Sequence, residues 1–307
     1  MTNPDDKKFA QLVHKIEPHS TLLRSWVLAG GVSAQVTGLE IQRPDGQTTK
    51  MIVRQHGTVD LKHNPHIAAD EFKLLNILHA AGLATPKPYS LDPSGEIFET
   101  PVIVMAFIEG TSDFAPIYDP NRIAQMAAHL ARIHSVAITV DEDLSFLPQQ
   151  EKRIGDTLRD RPTTLDDSLD EGHIRDILDS VWPLPQRNAS VLLHGDYWPG
   201  NILWREGYLA AVIDWEDAAV GDPLADVGNT RLEILWAFGL EAMQHFTDYY
   251  RSVTAVDFAN LPYWDLCAAL RPASKLGTWG LDAFTEQRMR EHHRIFIMQA
   301  YEALSEL

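Results

Sequence analysis

Apolar and β-branched residues alternate with polar ones over Leu22–Leu28, Gln35–Arg43 and Thr48–Arg54, and this period of two predicts three short strands. Ala29-Gly30-Gly31 joins the first pair. Pro44-Asp45-Gly46 joins the second, and as a tight-turn sequence it predicts an antiparallel hairpin. From Ala68 to Ala81 the spacing becomes helical, with Phe72, Leu75, Leu78 and His79 near one face and Gly82 as a stop. Pro86 and Pro88 then force extended chain. A buried strand, Val102–Phe107, runs into Glu109-Gly110, which has the composition of a linker. Helical patterns dominate afterwards, over Asn121–His134, Asp222–Phe238, Glu241–Arg251, Trp264–Leu270 and Gln287–Ala303, with one β-rich interruption at Ile202–Asp214. There is no internal repeat. The gradient predicts an α+β chain: a small antiparallel-sheet lobe over 1–108, ending in a crossing strand, and a larger, mostly helical lobe over 109–307. Active sites favour the cleft between such lobes.

Composition narrows the function classes. A chain of 307 residues, 45% hydrophobic and 22% charged, can bury a sizeable core without a staple. Cys267, the one cysteine, excludes an intrachain disulfide; its apolar neighbours Leu266 and Ala268 make it a packing residue. Met1–Lys8 is too polar for a signal peptide, and the longest clean apolar run, Val102–Ile108, is far too short to span a bilayer. These features together point to the cytoplasm. With 43 acidic and 26 basic residues, the formal charge of −17 argues against nucleic acid or anionic membranes as partners. An acidic surface ordinarily serves solubility; its sharper reading is a cleft suited to a cationic substrate.

The chemistry concentrates in Val191-Leu-Leu-His194-Gly-Asp196-Tyr-Trp-Pro-Gly-Asn201 and in Ala211-Val-Ile-Asp214-Trp-Glu216. Asn201 follows Asp196 by five residues, and Asp214 follows Asn201 by thirteen. The intervening Ile202-Leu-Trp, Arg205-Glu-Gly207 and Tyr208–Ile213 spell a hairpin, which returns the chain toward its start. The Asn201 amide oxygen and the Asp214 carboxylate can then chelate one hard cation such as Mg2+. Asp196 is left to face an acceptor hydroxyl. Phosphoryl transfer needs these parts: metal to neutralise the transferring group and a carboxylate to orient the nucleophile. A single Asp-x-x-x-x-Asn would read as turn residues; His194-Gly-Asp after an apolar strand, the spaced Asn and the closing Ile-Asp-Trp together favour chemistry.

On these residues the sequence resembles the aminoglycoside phosphotransferase and choline kinase superfamily, a branch of the protein-kinase-like fold, over roughly residues 20 to 300. The resemblance implies a two-lobed small-molecule kinase using ATP and Mg2+, with Asp196 as catalytic residue and Asn201 and Asp214 as metal ligands. His194 is the loop residue that orients this turn, with direct catalysis the minor alternative. Asp226, in Gly221-Asp-Pro-Leu-Ala-Asp226, is implied to brace the catalytic loop. ATP is implied to lie under the Ala29–Ala34 loop, where Gly30 and Gly31 let backbone N–H groups approach phosphate and Ser33 adds a hydroxyl. Its adenine would meet the backbone of Met105, Phe107 and Ile108. The phosphate-holding cation of the third strand matches Arg54, with Glu71 on the next helix as its partner. Many relatives have Lys at this place, and Arg is not equivalent to it; Lys50, of the same strand parity, is the fallback.

Other candidates carry less. His56, His63, His66 and His79 fit no standard metal spacing. Trp198, Trp215, Trp236 and Trp279 read as core aromatics, with Trp198, Trp215 and Glu216 the best placed to border an acceptor. The mechanism expected is in-line transfer of the ATP γ-phosphoryl group to a hydroxyl of a small molecule, of aminoglycoside, choline or amino-alcohol type. An inactive nucleotide-binding regulatory module is the alternative. A protein kinase is disfavoured, because no Ala-Pro-Glu segment or long activation loop follows Asp214.

Overall fold

The structure is a computed structural model and describes residues 5–28, 34–112, 118–136 and 144–306. Its contacts divide into two compact units, one of residues 1–110 with 210–216 and one of 111–209 with 217–307. No helix among the described residues is long and apolar enough to cross a membrane.

The first unit is built on a sheet of β1 (Thr21–Val27), β2 (Ala34–Gln42), β3 (Thr48–His56), β4 (Pro88–Asp92) and β5 (Val102–Ala106), in the order β1-β2-β3-β5-β4. All neighbours are antiparallel. The β2–β3 hairpin closes where turn chemistry demands, with Arg43 N–H bonded to Gln47 O at 2.8 Å and Asp45 Oδ1 accepting Gln47 N–H at 2.9 Å. Pro88, which cannot donate to a ladder, opens the edge strand β4.

One face of the sheet carries Leu39, Ile41, Met51, Val53, Val102 and Val104, packed with Phe9, Leu12 and Val13 of α1 (Asp6–Ile16). The sequence pattern left α1 unassigned. Its apolar residues fall at i, i+3 and i+4, one stripe of a helix, and they are buried because that stripe lies on the sheet. A short α2 (Thr58–His63) follows β3, and α3 (Ile67–Ala80) covers the other face. Helix α3 stops at Gly82, whose φ of 72° permits the closing bonds Gly82 N–H to His79 O and Leu83 N–H to Leu78 O.

The second unit is mainly helical. It comprises α4 (Pro120–His134), α5 (Gln150–Arg159), α6 (Glu171–Val181), α7 (Leu224–Phe238), α8 (Leu240–Val253), α9 (Leu261–Ala269) and α10 (Ala283–Ser305). The apolar pattern does not mark helices α5 and α6, since the buried apolar residues are Leu158 alone in α5 and Ile174 and Leu178 in α6. Boundaries move for local reasons: α9 begins at Leu261, with Pro262 in its first turn, and α10 begins after Asp282, whose carboxylate caps Phe284 and Thr285. Helix α7 packs on α8, α9 and α10, and α4 packs on α8. Strands β6 (Val191–Leu193) and β9 (Ala219–Gly221) pair antiparallel, while β7 (Ile202–Arg205) and β8 (Tyr208–Val212) form the predicted second hairpin.

Phe9 is 1% exposed, its ring lies tilted 5.1 Å from that of Phe98, and it shares the core cluster with Leu39, Ile41, Met51 and Val53, so it ties α1 to the sheet. Phe9→Ala should cost the first unit about 3–5 kcal/mol, measured by urea unfolding; a loss below about 1 kcal/mol would show that α1 does not stabilise the sheet.

Candidate active site

Strand alternation decides the first polar cluster. Met51 and Val53 turn to the apolar core, which leaves Arg54 and His56 among buried polar residues. Arg54 is 8% exposed and is surrounded by carboxylates: its Nε lies 3.2 Å from Glu71 Oε2, and its Nη2 lies 2.6 Å from both Asp214 Oδ1 and Glu216 Oε2. Burial opposes the charge on Arg54, but Glu71, Asp214 and Glu216 outweigh it and hold the guanidinium more firmly protonated than usual. Glu71 shows the same balance in reverse. Its burial would raise the pKa, yet Arg54 and then His56 keep it below the usual carboxylate range.

His56 joins this cluster with its Nε2 2.9 Å from Glu71 Oε2 and its Nδ1 3.8 Å from Glu216 Oε2. His56, Asp60 and Glu216 also bring donor atoms within 4.8 Å of one another, a set that metals can use. Glu216 is already bonded there to Arg54, which supplies positive charge without a metal. His63 instead has its Nδ1 2.9 Å from Val59 O. Asp214 adopts φ of 69°, a left-handed conformation uncommon outside glycine, and such strain concentrates at functional positions.

The second cluster starts where β6 runs into His194-Gly195-Asp196. Asp226, 1% exposed on α7, accepts His194 N–H through Oδ2 at 2.7 Å and Gly195 N–H through Oδ1 at 2.9 Å. His134, at the end of α4, places Nε2 3.2 Å from Asp226 Oδ2 and Nδ1 2.6 Å from the Tyr250 hydroxyl. Burial would raise the Asp226 pKa; the His134 hydrogen bond and the nearby histidines bring it below the ordinary value, so the clamp carries a charge. Gly195 has φ of 82°, and a Cβ there would stand 2.1 Å from Asp217 O, so only glycine fits.

Asp196 emerges from this turn. Its N–H meets His194 Nδ1 at 3.2 Å, and Asn201 Nδ2 donates to its carbonyl at 3.0 Å and to its Oδ2 at 3.3 Å. Asn201 makes these contacts through nitrogen, while its oxygen is the atom suited to a hard cation. Arg271 donates to Gly195 O at 2.7 Å and to Asp196 Oδ1 at 2.9 Å. On α7, the half-buried Glu233 is pushed up to about 8 by burial, with the Asp196 charge adding and Arg271 opposing.

Gly30, Gly31 and Ser33 lie outside the described residues. Met105 is buried in β5, opposite Ile52 of β3, and Phe107 and Ile108 follow the strand half-buried. Lys50, the fallback cation, pairs with Glu109 at 2.5 Å and lies over the Phe107 ring. His194 is fully buried, which suits holding the loop from beneath. Trp198 is half-buried. Trp215 is 2% exposed with its indole N–H on Val212 O, a packing position, and Glu216 serves Arg54. The sequence reading missed His134, Tyr250, Arg271 and Glu233 altogether. Only His134 had a visible cue, as the last residue of a predicted amphipathic helix.

A sequence profile of the phosphotransferase enzyme family matches residues 28–251. The chain belongs to that family. Among curated relatives, it is 28% identical to a homoserine kinase of Beijerinckia indica over 67% of this chain and 68% of that protein. It is 25% identical to mouse acyl-CoA dehydrogenase family member 10 over 65% of this chain, but spans only 20% of that relative's length. Solved structures share the fold at lower identity. Amicoumacin kinase hAmiN, in complex with AMP-PNP, Ca2+ and Ami, superposes with a TM-score of 0.66 at 15% identity, covering 96% of this chain and 94% of that one. Aminoglycoside 2'-phosphotransferase-IIIa in its GDP complex gives 0.64 at 17%, covering 98% and 97%. The α+β arrangement of an N-terminal antiparallel sheet and a mostly helical remainder is thus the kinase-like fold of these phosphotransferases.

Two measurements test this electrostatic description. Asp226→Ala leaves two backbone donors and His134 without their acceptor and should cost about 3 kcal/mol in denaturant unfolding; a near-neutral result would show that the loop needs no clamp. Glu233 holds its proton in the fold up to about pH 8 but would ionise near its ordinary 4.5 once unfolded. The folded state therefore binds the extra proton between these values, and the Glu233 contribution to stability falls as pH rises through that window. The Tm advantage of Glu233→Gln over the wild type should grow from pH 5 to pH 8, and a constant difference would show that Glu233 titrates normally.

Proposed function

We propose that this protein is a small-molecule kinase that transfers the γ-phosphoryl group of ATP to a hydroxyl of its acceptor with the help of Mg2+. The observation that carries this reading is the clamped turn: a buried Asp226 carboxylate holds the backbone of His194 and Gly195, and Asp196 projects from it with Asn201 bonded alongside. Membership of the phosphotransferase family supports it, as do the names of a homoserine kinase among its relatives and of the amicoumacin kinase that shares its fold.

Asp196 has the role of orienting the acceptor hydroxyl and taking its proton as the oxygen attacks phosphorus in line with the leaving ADP oxygen. The donor set fits a hard cation, because Asn201 offers an amide oxygen and Asp214, 33% exposed at its side chain, offers a carboxylate. Mg2+ held by Asn201 and Asp214 would neutralise charge on the transferring group. Arg54, tied to Glu71, has the geometry to hold phosphate oxygens. Its bonds to Asp214 and Glu216 mean that those carboxylates compete with phosphates for the same guanidinium. Most of the acceleration then comes from positioning and charge stabilisation rather than from a covalent intermediate.

Asp196→Asn should lower turnover about 100-fold or more while the Mg-ATP dissociation constant stays within about twofold; substantial residual turnover in an ATP-consumption assay would reject the base. Asp214→Ala should instead weaken Mg-ATP in a nucleotide titration, and unchanged affinity would remove it from the metal site.

A further inference from the structure

Two arginines stand at the turn that presents Asp196, in a chain with an acidic excess of 43 to 26. Arg271, just after α9, donates to Gly195 O at 2.7 Å and Asp196 Oδ1 at 2.9 Å. Arg153, on α5, donates to Asp217 O at 2.9 Å. That carbonyl is the one a Cβ on Gly195 would strike at 2.1 Å, so both guanidiniums are attached to the backbone immediately around Gly195. We propose that Arg271, flanked by Arg153, is an anion-binding position beside Asp196, and that the acceptor alcohol carries a carboxylate or a comparable anionic group. This inference rests on the kinase reading above and names the substrate class of the same site.

Charge and geometry both support it. Two guanidiniums of like sign repel, and with burial as the larger cause Arg271 helps to lower the Arg153 pKa, while Asp217 opposes. An anion shared by the pair removes that repulsion. The carboxylates facing the arginines do not reverse the balance: Asp196 and Asp217 offset two positive charges, and Glu233 keeps its proton up to about pH 8. Among the groups facing the two arginines, positive and negative charges therefore balance in a chain of formal charge −17, which weakens the expected attraction for a polycationic acceptor. The Arg271–Asp196 pair remains open to solvent, with side chains 42% and 30% exposed, so an incoming group can reach it. A guanidinium has five donors in a planar fork, and the two bonds named above leave capacity to hold a carboxylate. Such a contact would place a hydroxyl of the same molecule within reach of Asp196.

The test uses alcohols offered as matched pairs with and without a carboxylate, L-homoserine with 3-aminopropan-1-ol and L-serine with ethanolamine, together with kanamycin. Full-length protein is assayed by ATP consumption and by calorimetric binding. The carboxylate-bearing member of a pair should have the higher kcat/KM by about tenfold or more, and Arg271→Gln should raise its KM by a similar factor while shifting its partner's KM less than about twofold. Arg271→Lys, which keeps charge but loses the fork, should recover only part of the loss. Arg153→Gln should act in the same direction more weakly. Equal behaviour of the paired alcohols, a preference for kanamycin, or a fall in kcat common to all acceptors with unchanged KM would overturn the proposal; the last would put Arg271 on the transferring phosphoryl group instead. If no acceptor is phosphorylated, the kinase reading fails for these alcohols. Calorimetry then decides the anion position separately, by whether L-homoserine binds the wild type and not Arg271→Gln.

Discussion

The geometry of the His194-Gly195-Asp196 turn depends on one buried carboxylate. Asp226 sits on α7 and accepts the N–H groups of two consecutive residues, so the chain between β6 and Asp196 has little freedom to relax. A buried charge of this kind is tolerable only when its lone pairs are satisfied, and His134, itself bonded to Tyr250, completes the set. Gly195 is the counterpart on the loop side, since its backbone passes too close to Asp217 for any side chain. The turn is thus assembled by elements far apart in sequence: α4, α7, α8 and the segment after β8.

The first unit solves a different problem with similar means. Three carboxylates converge on Arg54, and the guanidinium keeps the buried Glu71 ionised against the cost of its burial. Breaking such a group by deleting one member typically costs about 3–5 kcal/mol, because the other charge is left buried and uncompensated. Asp214 and Glu216 thus share one internal cation with Glu71, so the cluster holds fewer guanidiniums than carboxylates.

Local charge need not follow the global charge. The chain is strongly acidic, yet the residues around Asp196 include Arg271, Arg153 and a carboxyl that keeps its proton near neutrality. Net charge governs solubility and long-range steering, whereas the acceptor meets groups within a few ångströms. The proposed carboxylate-bearing acceptor follows from the second scale and departs from the cationic acceptor that the first suggests.

The chain by itself determined what is written locally. The β2–β3 hairpin, the stop of α3 at Gly82 and the strand-to-loop passage into His194-Gly195-Asp196 follow from residues a few positions apart, because turns, caps and periodic burial are short-range effects. Helices α1, α5 and α6 were less legible, since their narrow apolar stripes acquire meaning only against the surface that covers them. The contact of Arg271 with Asp196 spans 75 residues, and that of His134 with Asp226 spans 92. Only the tertiary structure decided these pairings, the burial of Trp215 and the protonation of Glu233, because electrostatics and desolvation depend on distance in space, which sequence separation does not encode.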